Sequence, residues 1–415
     1  MAQTQTVKPS LASWTNQVPE SEIRRLLKYH PKYYFAGGQP GNLPLKQLKA
    51  VISTIMSDSA FSQEIGNSEL FNYGPSDGLL RLKQTLSNRM KQREDVMSTP
   101  GDMLITSGSQ QSLNAIIQVL LNPGDTVVIS QPTYLGFLGP AMINQTNFIS
   151  VPQDQEGIIP EGLEYACNFA QETGKPVKLL YVNSFADNPG GISHSLKRKQ
   201  ELYNLAEQYN FYILEDNAYK EISFDGMVHK PIKSFDVENE RVIYSCTTSK
   251  EMAVIRLGYS VLPNDLISQL VKLKGYQDLC TSTFLQEIAY QYYEHHIDTS
   301  IGKIVKEYEK QANAMKHAID QYLPGHRTDP NGGFFIWHTL DEKINTKEFL
   351  EIALENDILY VPGYSFYPVT GKMVNQTCDK IEYTSQPTNS MRLCYSTLKP
   401  NLIHDGIEKL GKLLS

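Results

Sequence analysis

Residues 102–130, DMLITSGSQQSLNAIIQVLLNPGDTVVIS, carry the pattern on which the fold turns. An apolar run at 102–107 ends at Gly108. A stretch at 109–121 then places Leu113, Ile116, Ile117 and Leu120 on one helical face, and Asn-Pro-Gly-Asp closes it before a second apolar run at 125–130. Strand, amphipathic helix, turn and strand make a βαβ unit, with the turn formers marking the boundaries. The apolar runs are too uniform to have a wet face, so both sides of each strand should be covered.

Outward from this unit the pattern repeats. Short runs rich in β-branched or large apolar residues fall at 147–152, 177–182, 211–215, 241–246 and 256–262, with helical stretches at 161–173 and 195–209 between some of them. Alternation of this kind predicts an α/β fold with a mostly parallel, doubly wound sheet. Towards the N-terminus, SEIRRLLKYH (21–30), LKQLKAVISTIMS (45–57) and LLRLKQTLSNRMKQRE (79–94) read as helices, and FAGGQPGNLP (35–44) as a loop. From about residue 262 long helices dominate, with strands at GGFFIWH (332–338) and NSMRLCYS (389–396). The expected division is an N-terminal segment 1–50, a large α/β domain 51–295 and a C-terminal segment 296–415. The two ends together form a smaller α+β lobe.

Composition bounds the function. Of 415 residues, 38 are Lys or Arg and 45 Asp or Glu, a net charge of −7, which argues against a nucleic-acid binder. Five cysteines without C-x-x-C spacing fit reduced thiols rather than a disulfide framework or zinc site. Neither a leader nor an apolar span of membrane length is visible, so the cytoplasm is the expected compartment and no membrane partner is expected.

In open α/β sheets ligands sit beyond the carboxyl ends of the strands, and polar residues collect there in this chain. Ser109 and Gln110 open a helix after Gly108, a place whose free N–H groups favour an anion by about 0.3–1 kcal/mol per interaction. The run at 177–182 leads to Asn188, the one at 211–215 to Asp216 and Tyr219, and the one at 241–246 to Thr247, Ser249 and Lys250. Each alone has a bland reading as a cap, a turn or a solvated lysine. Jointly an anion site, an acid, a phenol and a lysine on successive strand ends suit one cofactor.

The chain resembles the class I/II aminotransferases of pyridoxal-phosphate fold type I, most closely the branch containing α-aminoadipate and kynurenine aminotransferases. The likeness runs through FAGGQPGNLP, YGPSDG, TSGSQQSL, NPGDTV, QPTYLG, DNPGG, LEDNAY, SFDG, TSK, RLGY, GGFFIW, VPGYSFYP and MRLCYS in that order. It implies pyridoxal 5′-phosphate as cofactor, with an α-amino acid and a 2-oxo acid as substrates. Lys250 would join the cofactor aldehyde and then move the Cα proton, and Asp216 would keep the pyridine nitrogen protonated. Asn188 and Tyr219 match positions that bond the ring hydroxyl, and Tyr134 the residue stacked on the ring. Ser109, Gln110, Thr247, Ser249 and Arg256 would hold the phosphate, joined by Tyr73 of a second subunit, which implies a homodimer with shared sites. Arg392 matches the arginine that takes the substrate carboxylate, with the backbone of Gly38 and the amide of Asn188 beside it.

Three departures stand out. Gly190 replaces the usual threonine, Asp187 replaces the usual glutamine and should bring a carboxylate near the ring edge, and Arg256 follows Lys250 by only six residues. They cluster around the cofactor, which raises a second possibility, a lyase or cyclase acting by β- or γ-elimination on the same scaffold. A third, the effector lobe of a transcription regulator, fits poorly with the net charge and with only about 20 residues before the first helix.

Overall fold

The computed structural model describes residues 10–41, 43–57, 70 and 72–414. The seven apolar runs form strands β1 (Met103–Thr106), β2 (Thr126–Gln131), β3 (Asn147–Asp154), β4 (Val177–Val182), β5 (Tyr212–Asp216), β6 (Val242–Thr247) and β7 (Gly258–Val261). A hairpin of β8 (Lys372–Val374) and β9 (Ile381–Tyr383) extends the same sheet, whose order is β9-β8-β3-β2-β4-β5-β6-β7-β1. Strands β3, β2, β4, β5 and β6 are mutually parallel, as is β8 against β3. Strand β7 instead runs antiparallel to both neighbours. Its link to β6 is the short segment 248–257, and a parallel return needs a crossover of about a dozen residues or more, usually helical.

Helices cover both faces. Helix α4 (Ser109–Leu120) buries Leu113, Ile116, Ile117 and Leu120, the stripe its sequence predicts, against β1, β2 and β4. With it lie α5 (Leu135–Ile143) and α8 (Ile267–Gln277). On the opposite face α6 (Pro160–Glu172) and α7 (Leu196–Tyr209) bury Leu163, Ala166, Leu202 and Ala206 against Val128, Leu180 and Ile213. Full burial of each such aliphatic side chain is worth roughly 1.5–3 kcal/mol, so the two covered faces dominate the stability of this sheet.

Helix α5 is absent from the sequence reading because LGFLGPAMI carries Pro140 in its interior. Proline there frees the carbonyl four residues back. That carbonyl, Gly136 O, accepts a 2.6 Å hydrogen bond from the Gln110 side chain, so the break costs no buried acceptor.

The two ends of the chain pack together around Phe335–Thr339 and Ser390–Cys394, paired antiparallel, and the buried Tyr33, Phe35, Ile403 and Ile407. In the C-terminal half α9 (Thr283–His295) and α10 (Ile297–Tyr322) break at His296, where the segment 296–415 was expected to begin. A cut after residue 50 falls inside the continuous helix α2 (Leu45–Ser57), which packs with α9. The β8–β9 hairpin returns from the C-terminal segment to the central sheet, a crossing its short and polar strands did not announce.

Candidate active site

A cavity of about 180 Å³ opens beyond the carboxyl ends of β4, β5 and β6. Its walls bring together Ser109, Gln110, Tyr134, Asn188, Asp216, Tyr219, Thr247, Ser249, Lys250 and Arg256. Arg24, Asn183 and Ala218 complete the lining.

Asp216 ends β5 and is 3% exposed. Its Oδ2 accepts from the Tyr181 hydroxyl at 2.9 Å, while Oδ1 is buried with no partner among the described residues. Burial raises its pKa to about 6, against the opposing pull of Tyr181, Asn183 and Lys250. An unpartnered buried carboxylate oxygen calls for a proton donor, which a protonated pyridine nitrogen supplies.

Lys250 follows β6 on a tight turn. Its Nζ donates to Gly38 O at 3.2 Å and lies 4.9 Å from the ring centroid of Tyr219 and 5.6 Å from that of Phe334. Burial lowers its pKa from 10.5 to about 8, although Asp216 pulls the other way. The loss of water around the ammonium outweighs its nearest acid, so the free amine is accessible near neutrality.

The other end of the cavity suits a phosphate. Gly108 at φ +85° precedes the first turn of α4, and a side-chain carbon there would come within 2.9 Å of Arg256 Nη2. Gly258 on β7 lets the strand pass the α4 start so closely that a Cβ would sit 2.5 Å from Ser109 N. Arg256 Nη1 donates to Ser249 Oγ at 2.8 Å, and Ser249 meets Thr247 at 2.9 Å. The short interval after Lys250 is absorbed by the turn at Ala253–Ile255 and by Arg256 itself at φ +53°, which swing the guanidinium back to the helix start. Gln110 lines the cavity, but its side-chain amide is committed to Gly136 O.

Arg392 is fully buried in the strand Ser390–Cys394 and stacks 4.1 Å from the Phe335 ring centroid. Nη1 donates to Asn188 Oδ1 at 2.9 Å and Nη2 to Ala36 O and Gly37 O at 2.8 Å each, while Nε is buried without a partner among the described residues. Gly38 itself lies beneath Phe335, whose Cζ would be 3.2 Å from a Cβ at that position. Tyr73 does not line the cavity of its own chain, and its side chain is 80% exposed.

Asp187 lies elsewhere than its sequence position suggested. Its carboxylate points into the turn, accepting from Ile192 N at 2.8 Å and from Gln153 at 3.3 Å, and it does not line the cavity. A Cβ on Gly190 would sit 2.7 Å from Asp187 Oδ1. The two departures are therefore one change, a glycine that makes room for a turn-capping acid. Tyr181 and Arg24 are missing from the sequence reading of the site, and Asn183 figured there only as a loop position bearing on substrate preference. Positions 181 and 183 share a face at the end of β4, and that period of two was the available signal.

The model of the family described as aminotransferase class I and II matches residues 39–410. The chain belongs to this family. It is a pyridoxal-phosphate-dependent aminotransferase of fold type I, and the cavity fits that cofactor at both ends. Aromatic-amino-acid aminotransferase 1 of Thermococcus litoralis is 34% identical over 95% of this chain and 91% of its own. A kynurenine aminotransferase of Pyrococcus horikoshii, solved in complex with PMP, superposes with a TM-score of 0.86 at 32% identity, covering 97% of this chain and 96% of its own. The α-aminoadipate aminotransferase LysN of Thermus thermophilus does so at 0.83 with 25% identity, over 97% of each chain. None of these three is a lyase or a cyclase. Aminotransferases act on an amino acid and a 2-oxo acid. Among the described residues no helix is long and apolar enough to cross a membrane.

Proposed function

We propose that the amino-group transfer of this enzyme is carried by Lys250, Asp216, Tyr219, Asn188 and Arg392 on an α-amino acid whose side chain is aromatic or ends in a carboxylate. The observation that carries the assignment is the opposition, across one cavity, of a depressed amine at Lys250 and an unpartnered acid oxygen at Asp216.

When bound, pyridoxal phosphate supplies an aldehyde for the amine and a ring that takes up the electron pair left at Cα. Arg392 holds the substrate carboxylate with its remaining N–H groups, which orients the Cα–H bond relative to Lys250. Lys250, about half of it neutral at pH 8, would remove the proton at Cα and return it two atoms away, across the nitrogen. Asp216 would keep the proton on the ring nitrogen, and Tyr181 holds Asp216 in place. Tyr219 and Asn188 would donate at the ring hydroxyl and Tyr134 would stack on the ring face. Ser109, the backbone of Gln110, Thr247, Ser249 and Arg256 would bind the phosphate.

Arg24 on α1 (Glu22–Leu26) is an exposed cation at the cavity mouth, with no ion-pair partner shown among the described residues. It provides a counter-charge for a distal carboxylate and a flat cation for an aromatic side chain, the two kinds of substrate named for the relatives above. Tyr73 completes the phosphate site of a second subunit, so the functional unit is a homodimer, to be measured by sedimentation. The compartment is the cytoplasm, and a division at 1–50, 51–295 and 296–415 remains our reading of the domains, with the helix Leu45–Ser57 and the C-terminal hairpin crossing it.

Borohydride reduction of the holoenzyme followed by peptide mapping tests the reading. The cofactor label is expected on Lys250 and absent from Lys250→Ala. A label on another lysine refutes it.

A further inference from the structure

Behind the cavity, on the reverse side of the same strand ends, lies a buried ionic cluster that the reaction does not use. Where the chain leaves the sheet, Asp216, Tyr219 and Lys250 line the cavity, whereas Asn217, Lys220, Glu221 and Glu251 do not; Asn217, Glu221 and Glu251 are buried and Lys220 nearly so.

The cations of this cluster have partners. Lys220 pairs with Glu94 at 2.5 Å, beneath the rings of Tyr244 and Tyr259. The Tyr244 hydroxyl also donates to Glu94 and accepts from Asn217 at 2.9 Å, which ties the cluster to the residue after Asp216. Arg89 on α3 (Leu80–Glu94) meets Glu221 at 3.2 Å and Asp298 at 2.9 Å, and Arg93 meets Asp298 at 3.0 Å. Lys220 and Arg89 thus match Glu94 and Glu221 in the interior, while Asp298, 71% exposed, meets Arg89 and Arg93 at the surface. Glu251 is left over: it is 2% exposed, and its Oε2 has no partner among the described residues. Tyr293 on α9, whose charge balance Glu251 affects, likewise presents a buried hydroxyl without a partner.

Ionised, Glu251 would be a third carboxylate in an interior where Lys220 and Arg89 already match the other two, and an uncompensated buried anion is costly. We propose that Glu251 is a positioning residue for Lys250, a carboxyl group kept protonated and uncharged behind the Lys250 turn, so that the amine works without an anion at its back. Burial and the neighbouring Glu221 raise the Glu251 pKa to about 8, with Lys220 and Arg89 opposing, and its ionised form would favour the charged form of Lys250. Above that pH the two groups titrate against each other, since loss of the Glu251 proton strengthens retention of the one at Lys250.

The inference rests on Lys250 being the cofactor lysine. The test is the pH titration of the cofactor absorption band in the natural holoenzyme and in Glu251→Gln, which keeps the shape and removes the charge. The natural curve should be broader than a single ionisation. The variant should follow a single ionisation with its midpoint lower by roughly half a unit or more, at an unchanged melting temperature. Superimposable curves, or a natural curve that already follows one ionisation, overturn the proposal. Should the variant not fold, the width of the natural curve decides alone. A pH-dependent band that survives in Lys250→Ala would instead remove the underlying assignment.

Discussion

Replacing Arg392 by lysine tests how the substrate carboxylate is held. Of the five guanidinium N–H groups, three are spent on Asn188 Oδ1, Ala36 O and Gly37 O, which leaves one at Nε and one at Nη1 for a ligand. A lysine ammonium has three donors on one atom. It cannot satisfy three fixed protein acceptors and a carboxylate together, and it loses the planar stack on Phe335. One charge-assisted hydrogen bond is worth about 1.5–3 kcal/mol and a desolvated cation–π contact about 1–2. A combined loss of about 3–4 kcal/mol corresponds to a fall of roughly 150- to 900-fold in kcat/KM. The assay is steady-state transamination over a series of amino acids, with half-reactions on amines of the same side chain that lack the α-carboxylate. The fall should appear for every amino acid, mainly in KM, and be absent for the decarboxylated amines. A loss below about fivefold, or an equal loss for both series, would falsify the assignment.

Three further outcomes follow from the same geometry. Removing the Tyr181 hydroxyl with Tyr181→Phe takes away the group that donates to Asp216 Oδ2 and raises the Asp216 pKa further. Cofactor affinity should fall roughly 5- to 10-fold, for a bond of about 1–1.5 kcal/mol, and equilibrium dialysis reads it. Because the Lys250 pKa falls from 10.5 to about 8, the neutral amine gains roughly 300-fold at pH 7. Capture of pyridoxal phosphate by the apo-protein should therefore rise with pH and level off above about 8, whereas continued rise to 10 refutes the shift. Arg24→Gln should lose roughly 10-fold in kcat/KM for amino acids with a distal carboxylate and little for alanine, and a uniform loss over both would show that Arg24 does not contact the side chain.

The sheet was legible because its strands are buried on both faces. Apolar runs such as 103–106 and 126–131 leave little choice of period, and turn formers mark their ends. The antiparallel reversal at β7 was less visible, since its sequence is as apolar as that of its parallel neighbours and only the length of the link sets direction. Helix α5 escaped because Pro140 is destabilising unless something else takes the Gly136 carbonyl, and the taker, Gln110, lies 26 residues away. Among the site residues, Lys250 and Asp216 could be found from their place at strand ends. Asp187 could not be placed, because whether its carboxylate met the cofactor or the turn depended on the space left by Gly190.

The strand ends that made the site readable also hide what lies behind it. Asp216, Tyr219 and Lys250 line the cavity, and each is followed by a residue that does not. These followers are Asn217, Lys220 and Glu251, and read singly they look like ordinary surface polar residues although Asn217 and Glu251 are buried and Lys220 nearly so. Their burial is compelled by the rows in which they sit, and buried charge must then be balanced locally by Glu94, Arg89 and Arg93, which α3 brings from more than a hundred residues away. The electrostatics of Lys250 therefore depend on a helix that touches neither cofactor nor substrate. Substitutions in α3 that upset this balance should change the titration of the site before they change its shape.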